Sequence, residues 1–123
     1  MPADDTFAGQ SFADLLTERV AQARSQRAAL TEAIDEMRVA RSLTFADDEH
    51  DPEGSTVSLD QARDAALLQR TEQTMAELLA AQQRLAAGTY GRCERCGREV
   101  PAELLYARPE ARTCLACAAR KPR

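Results

Sequence analysis

Cys93, Cys96, Cys114 and Cys117 are the four cysteines of the chain, and their type and spacing point to a defined chemistry. They form two C-x-x-C pairs seventeen residues apart, the spacing of a four-thiolate zinc site in which each pair gives two ligands to a tetrahedral ion. Four protein ligands leave no position for water, so the expected ion is a single structural Zn2+. A pair of redox dithiols or disulfides is the other reading of the same spacing, and it would call for an oxidising compartment. From Cys93 to Cys117 the large apolar side chains are few, namely Val100, Leu104, Leu105, Tyr106 and Leu115. Their burial cannot offset the entropy lost on ordering so polar a stretch. Metal binding can, because it becomes folding free energy. Gly91 and Gly97 are placed to let the backbone turn tightly around the first pair.

A second cluster is carboxylate. DDEHDPE, residues 47–53, holds five acidic side chains and the one histidine, His50. It is not an EF-hand: counted from Asp47, Pro52 stands where that loop needs Gly and Ser58 where it needs Glu. His50 has no second imidazole with which to share a metal and is read as a surface residue. No nucleophile and base pairing, Gly-rich phosphate loop or open metal site can be read, so the chain is not expected to be an enzyme.

The elements that must carry these two clusters are helical. Ala, Leu, Glu, Gln and Arg dominate, and aromatic residues make up only 4% of the chain, a mixture rich in helix formers and poor in strand formers. A capping box from Ser11 to Asp14 opens a first helix. Leu16, Val20, Ala23, Arg27, Leu30, Ile34 and Met37 then recur at alternating steps of four and three, a coiled-coil seam with one polar interruption. Pro52 and Gly54 rule out a continuing helix, and a second capping box, Ser58 to Gln61, restarts one. Leu68, Thr71, Met75, Leu78, Gln82 and Leu85 continue the pattern to Gly88, which is placed as a helix C-terminal glycine. Toward the loop, Ala62, Ala65 and Ala66 are expected to line the seam. Two such helices joined by a short loop fold back on each other as an antiparallel hairpin. With the turn centred near Asp51, Arg27 is expected to pair with Glu77.

The fold class predicted is mainly α: a long antiparallel two-helix coiled-coil hairpin with a small C-terminal four-cysteine zinc-finger module. The expected organisation is a disordered segment over 1–10, the hairpin over 11–88 with an acidic tip loop at 45–58, and the finger with a short basic tail over 89–123. Charge divides the same way. Residues 1–90 hold 8 Arg against 16 Asp and Glu, a balance of −8, whereas residues 91–123 hold 7 Arg and 1 Lys against 4 Glu, a balance of +4. An acidic chain is a poor non-specific DNA binder, but its basic end can meet an acidic partner. There is no long apolar run and the N-terminal stretch is acidic, so neither a membrane span nor an export signal is expected, and the chain is expected to be cytoplasmic.

Gly88, Tyr90, Gly91, Cys93, Cys96, Gly97, Pro101, Leu105, Ala107, Pro109, Cys114 and Cys117 together resemble the zinc-finger signature of the DksA/TraR family. The helical hairpin with its acidic tip extends the resemblance over most of the chain. This resemblance implies a bacterial transcription regulator that binds RNA polymerase directly and without sequence-specific DNA contact; the hairpin, closed within one chain, is expected to make the protein a monomer. The finger would dock at the rim of the polymerase secondary channel, and the hairpin would bring its tip close to the catalytic magnesium. The tip pattern of the family, Asp-x-x-Asp-x-Ala, is matched at Asp48 and Asp51, with Glu53 at the place of the Ala. Arg92, Arg95, Arg98 and Arg112 form the expected docking surface. The family often acts together with ppGpp through the polymerase complex; no residue of this chain is assigned to ppGpp. Two readings of other classes are a zinc-finger module that binds nucleic acid, with Tyr90 and Tyr106 as its stacking residues, and a coiled-coil structural adaptor whose helices pair between chains.

Overall fold

The computed structural model describes residues 6–7, 10–47 and 54–120. In chain order the elements are β1 (Thr6–Phe7), β2 (Gln10–Ser11), α1 (Phe12–Asp47), α2 (Gly54–Ala87), α3 (Ala102–Ala107) and α4 (Leu115–Ala119). The chain divides into two compact units, one of residues 1–21 with 74–123 and one of residues 22–73. The long helices α1 and α2 pack together, and the mainly helical architecture expected from composition is present.

In the unit of residues 22–73, Arg41 Nη1 donates to Gln61 Oε1 across 2.6 Å. These two positions are equidistant from Asp51, the expected centre of the turn. The seam runs on in phase toward the loop, but its composition differs from the expectation. Ala62, Ala65 and Ala66 are exposed, whereas Gln61, Asp64 and Leu68 are half-buried. Steps of three and four backward from Leu68 lead to Asp64 and Gln61, so helix phase decides the facing positions even where they are polar.

Arg27, the polar interruption of the expected seam, is exposed. The loop is shorter than the expected 45–58: α1 runs on to Asp47, and α2 begins at Gly54 rather than at Ser58. Once nucleated, a helix gains one hydrogen bond per added residue, and it propagates past a capping motif until the chain forbids it, here close to Pro52. Asp48, Asp51, Glu53 and His50 lie outside the described residues.

In the unit of residues 1–21 with 74–123, Ser11 caps α1 as expected, its Oγ accepting from the Asp14 N–H at 3.1 Å. Leu16 and Val20 of α1 are buried in this unit, and so are Met75, Leu78 and Ala81 of α2; Ala23 and Thr71, also buried, belong to the unit of residues 22–73. Gly88 ends α2 with φ of 82°. Its N–H bonds to the Leu85 carbonyl at 3.2 Å, and the Thr89 N–H bonds to the Arg84 carbonyl at 2.9 Å, the paired bonds of a Schellman motif. Within the segment expected to be disordered, Thr6 pairs with Ser11 and Phe7 with Gln10 in a two-stranded antiparallel ladder, and β1 lies against α3. Docking on another element supplies what so short a pair of strands lacks alone.

Leu16→Ala should destabilise the protein by about 2–5 kcal/mol, because a side chain with 0% exposure leaves a cavity when truncated. Leu43→Ala, at a position 66% exposed, should shift stability by less than about 0.5 kcal/mol. Urea unfolding followed by far-UV circular dichroism measures both.

Candidate metal centre

Two knuckles of backbone present the four sulfurs. In the first, the Cys93 N–H bonds to the Arg98 carbonyl at 2.8 Å and the Gly97 N–H to the Cys93 carbonyl at 3.0 Å. Arg92 and Glu99 form a bridge behind it, and the Val100 N–H closes on the Gly91 carbonyl at 2.7 Å. This tight return requires left-handed backbone at Gly91 and Gly97, with φ of 87° and 78°, conformations that cost other residues about 1–2 kcal/mol. A Cβ at Gly91 would stand in ordinary contact with Leu105 Cδ1, at 3.5 Å, so the positive φ is what calls for glycine there. Both glycines thus serve the turn as the sequence suggested. The second knuckle runs into α4, where Cys114 is the N-cap and Cys117 lies in the helix.

The four Sγ atoms all lie within 4.8 Å of one another, and Cys96 Sγ and Cys114 Sγ are 3.8 Å apart. A tetrahedral ion about 2.3 Å from each sulfur sets them about 3.8 Å apart, so the cluster fits one zinc. No pair is disulfide-linked; Cys93 and Cys117 are buried, Cys114 is half-buried and Cys96 exposed. The donor set also needs a cation. Burial raises the Cys93 thiol, but backbone N–H groups of Cys96, Cys114 and Arg95 and the Cys96 side chain more than offset it, bringing Cys93 down to about 6. Backbone hydrogen bonding at Cys117 is the main cause that lowers Cys114. Cys117 is pushed up to about 12 by burial and by the neighbouring Cys114, Cys93 and Cys96. Thiols this close cannot all ionise by themselves, whereas a bound divalent ion deprotonates all four.

The ligands sit on a core of their own. Phe12, Leu15, Val100 and Leu105 are buried with Cys93 and Cys117, and Tyr90, Leu104, Tyr106, Ala111 and Cys114 pack against them. The first turn of α1 is therefore part of the finger core, which the four- and three-residue seam did not reveal. Phe12 and Tyr90 meet with ring centroids 5.6 Å apart. Tyr90 donates its hydroxyl to the Pro109 carbonyl at 2.9 Å, and burial pushes it up to about 12, so it keeps its proton. Arg84, from the last turn of α2, donates to the Ala111 carbonyl at 3.4 Å.

All four arginines of the expected docking surface are exposed on the finger. Two of them also hold internal bonds: Arg95 Nη1 donates to the carbonyls of Cys117 and Arg120, each at 3.2 Å, and Arg112 Nη1 meets Glu94 Oε2 at 3.2 Å. Among the described residues no helix is long and apolar enough to cross a membrane.

Residues 88–123 match the prokaryotic dksA/traR C4-type zinc finger. Over 45 residues, 37% of this chain, the sequence is 47% identical to an uncharacterized protein of Aquifex aeolicus (strain VF5), and the match spans 31% of that protein. The fold is similar to that of transcription factor DksA2 from Pseudomonas aeruginosa, with a TM-score of 0.73 at 20% identity, covering 89% of this chain and 78% of that one. The family match is confined to the finger, and the rest of the chain shares the fold of that structure. The finger match supports one structural zinc held by Cys93, Cys96, Cys114 and Cys117.

Zinc affinity should fall as pH falls. With Cys117 raised to about 12, binding at neutral pH must expel at least its proton, which weakens binding about tenfold for each pH unit lost. The dependence should steepen below about pH 6, where Cys93 also holds a proton. Chelator competition between pH 5 and 8 measures the slope, and a flat profile contradicts this reading.

Proposed function

We propose that this protein is a transcription regulator that binds RNA polymerase directly, using the finger as its docking end and the hairpin tip as its acting end. The observation that carries this reading is the pairing of a dksA/traR C4-type finger with a fold shared with a DksA transcription factor. The zinc clamps the finger and does no chemistry, in keeping with a non-enzymatic role. Arg92, Arg95, Arg98 and Arg112 provide a basic docking face, whose charge speeds encounter with an acidic surface more than it sets affinity. Asp48 and Asp51, with Glu53 beside them, carry negative charge toward the catalytic magnesium of the polymerase. The protein works in the cytoplasm as a monomer, makes no sequence-specific DNA contact, and meets ppGpp only through the polymerase complex.

The nucleic-acid reading loses support from the placement of its two stacking residues. Tyr90 and Tyr106 are half-buried and packed on the finger core, whereas single-stranded nucleic acid needs free aromatic faces.

Purified core polymerase should retain the protein at low salt, and in vitro transcription should respond to it at sensitive promoters. Asp51→Asn should keep polymerase binding and lose the transcriptional effect. Failure to bind at low salt rejects the reading; an Asp51→Asn variant as active as wild type removes the tip from it.

A further inference from the structure

Glu94 and Arg95 fill the two places between ligands Cys93 and Cys96, and each reaches across to the other knuckle. Glu94 does so twice: its backbone N–H bonds to the Arg112 carbonyl at 2.9 Å, and its carboxylate meets the Arg112 guanidinium at 3.2 Å. Arg95 reaches the far end of the second knuckle, where one terminal nitrogen donates to the carbonyls of Cys117 and Arg120. The Cys117 carbonyl also accepts the Arg120 N–H at 3.2 Å, so the guanidinium adds a second bond there and reaches the Arg120 carbonyl just past the helix end. The first bond approaches the second knuckle two residues before Cys114, the other at Cys117 itself. Both ends of the second C-x-x-C are therefore held from the middle of the first.

We propose that Glu94, Arg95 and Arg112 are positioning residues of the metal centre: they hold the two ligand pairs in register and so set how slowly the finger releases its ion. The physical case rests on where the weak point of such a site lies. Each pair is local, held by its own backbone turn, but the two pairs come from segments far apart in sequence, so their register depends on bonds between the segments. Hydrophobic packing supplies part of that register through Val100 and Leu105, yet it is non-directional. The Glu94–Arg112 and Arg95–carbonyl bonds are directional, and they sit next to the ligands. Groups one bond beyond the ligands commonly control metal affinity by orienting them. Charge points the same way, because zinc with four thiolates carries a net charge of −2 and favours a guanidinium nearby. With side chains 44% exposed on both partners, the Glu94–Arg112 pair adds little to global stability. Its effect should therefore appear in metal release rather than in unfolding. This role concerns the isolated chain and is independent of any docking partner.

The experiment is zinc release from the purified, zinc-loaded full chain into an excess of chromophoric chelator. Arg95→Ala and Glu94→Gln should each release zinc about 10- to 100-fold faster than wild type, while Arg70→Ala, at an exposed α2 position, should not change the rate. Glu94→Arg and Arg112→Glu should each be fast alone, and together they should return most of the way to the wild-type rate. Far-UV circular dichroism checks that the helices persist. If Arg95→Ala fails to fold, the charge-swap set decides. Release within about twofold of wild type in both Arg95→Ala and Glu94→Gln overturns the proposal, and so does a double swap as fast as its single variants.

Discussion

Four sulfurs within 4.8 Å of one another are a repulsive arrangement until a cation enters it. Anionic thiolates at that spacing oppose one another, and protonated thiols would waste the backbone N–H groups that converge on Cys93. A divalent ion removes the conflict and converts a stretch with few large apolar side chains into a folded module. The rest of the finger follows from this constraint. Glycines at positive φ draw the first knuckle tight, the Cys114 to Cys117 turn begins α4, and Leu105 fills the space against Gly91. Phe12 and Leu15 at the start of α1 complete the core that the finger cannot close from its own residues.

The hairpin is specified by phase more than by hydrophobicity. Its apolar positions are deeply buried from Phe12 to Ala23 and from Met75 to Ala81, and past these the facing positions become less buried and more polar. Arg41 and Gln61 occupy seam positions and bond to each other, so the helices keep their register where apolar packing has thinned. A long flexible side chain such as Arg41 can cover the seam with its stem while its head finds a polar partner.

A basic finger and an acidic hairpin divide the charge of the chain into a part suited to meeting an acidic surface and a part that carries negative charge. In the proposed role the zinc acts only through shape, and the reactive centre belongs to the partner. The arginines of the finger then have two kinds of work. Arg92 and Arg98 are exposed and enter the first knuckle through their backbones, whereas the side chains of Arg95 and Arg112 are tied into the metal module.

Sequence alone determined the ligand set, the helix cap at Ser11, the C-terminal glycine at position 88 and the buried seam from Leu16 to Ala23 and from Thr71 to Leu78. These are local or periodic signals: two-residue gaps between cysteines, hydrogen bonds that close within a few residues, and a 3.5-residue repeat. Tertiary structure alone decided that Ala62, Ala65 and Ala66 face outward while Asp64 and Gln61 face the seam, that Arg27 stays in solvent, and that Phe12 and Leu15 belong to the finger core. It also decided that Glu94 and Arg95 brace the opposite knuckle. Each of these depends on what another segment presents at that point in space, and no spacing within one segment encodes it.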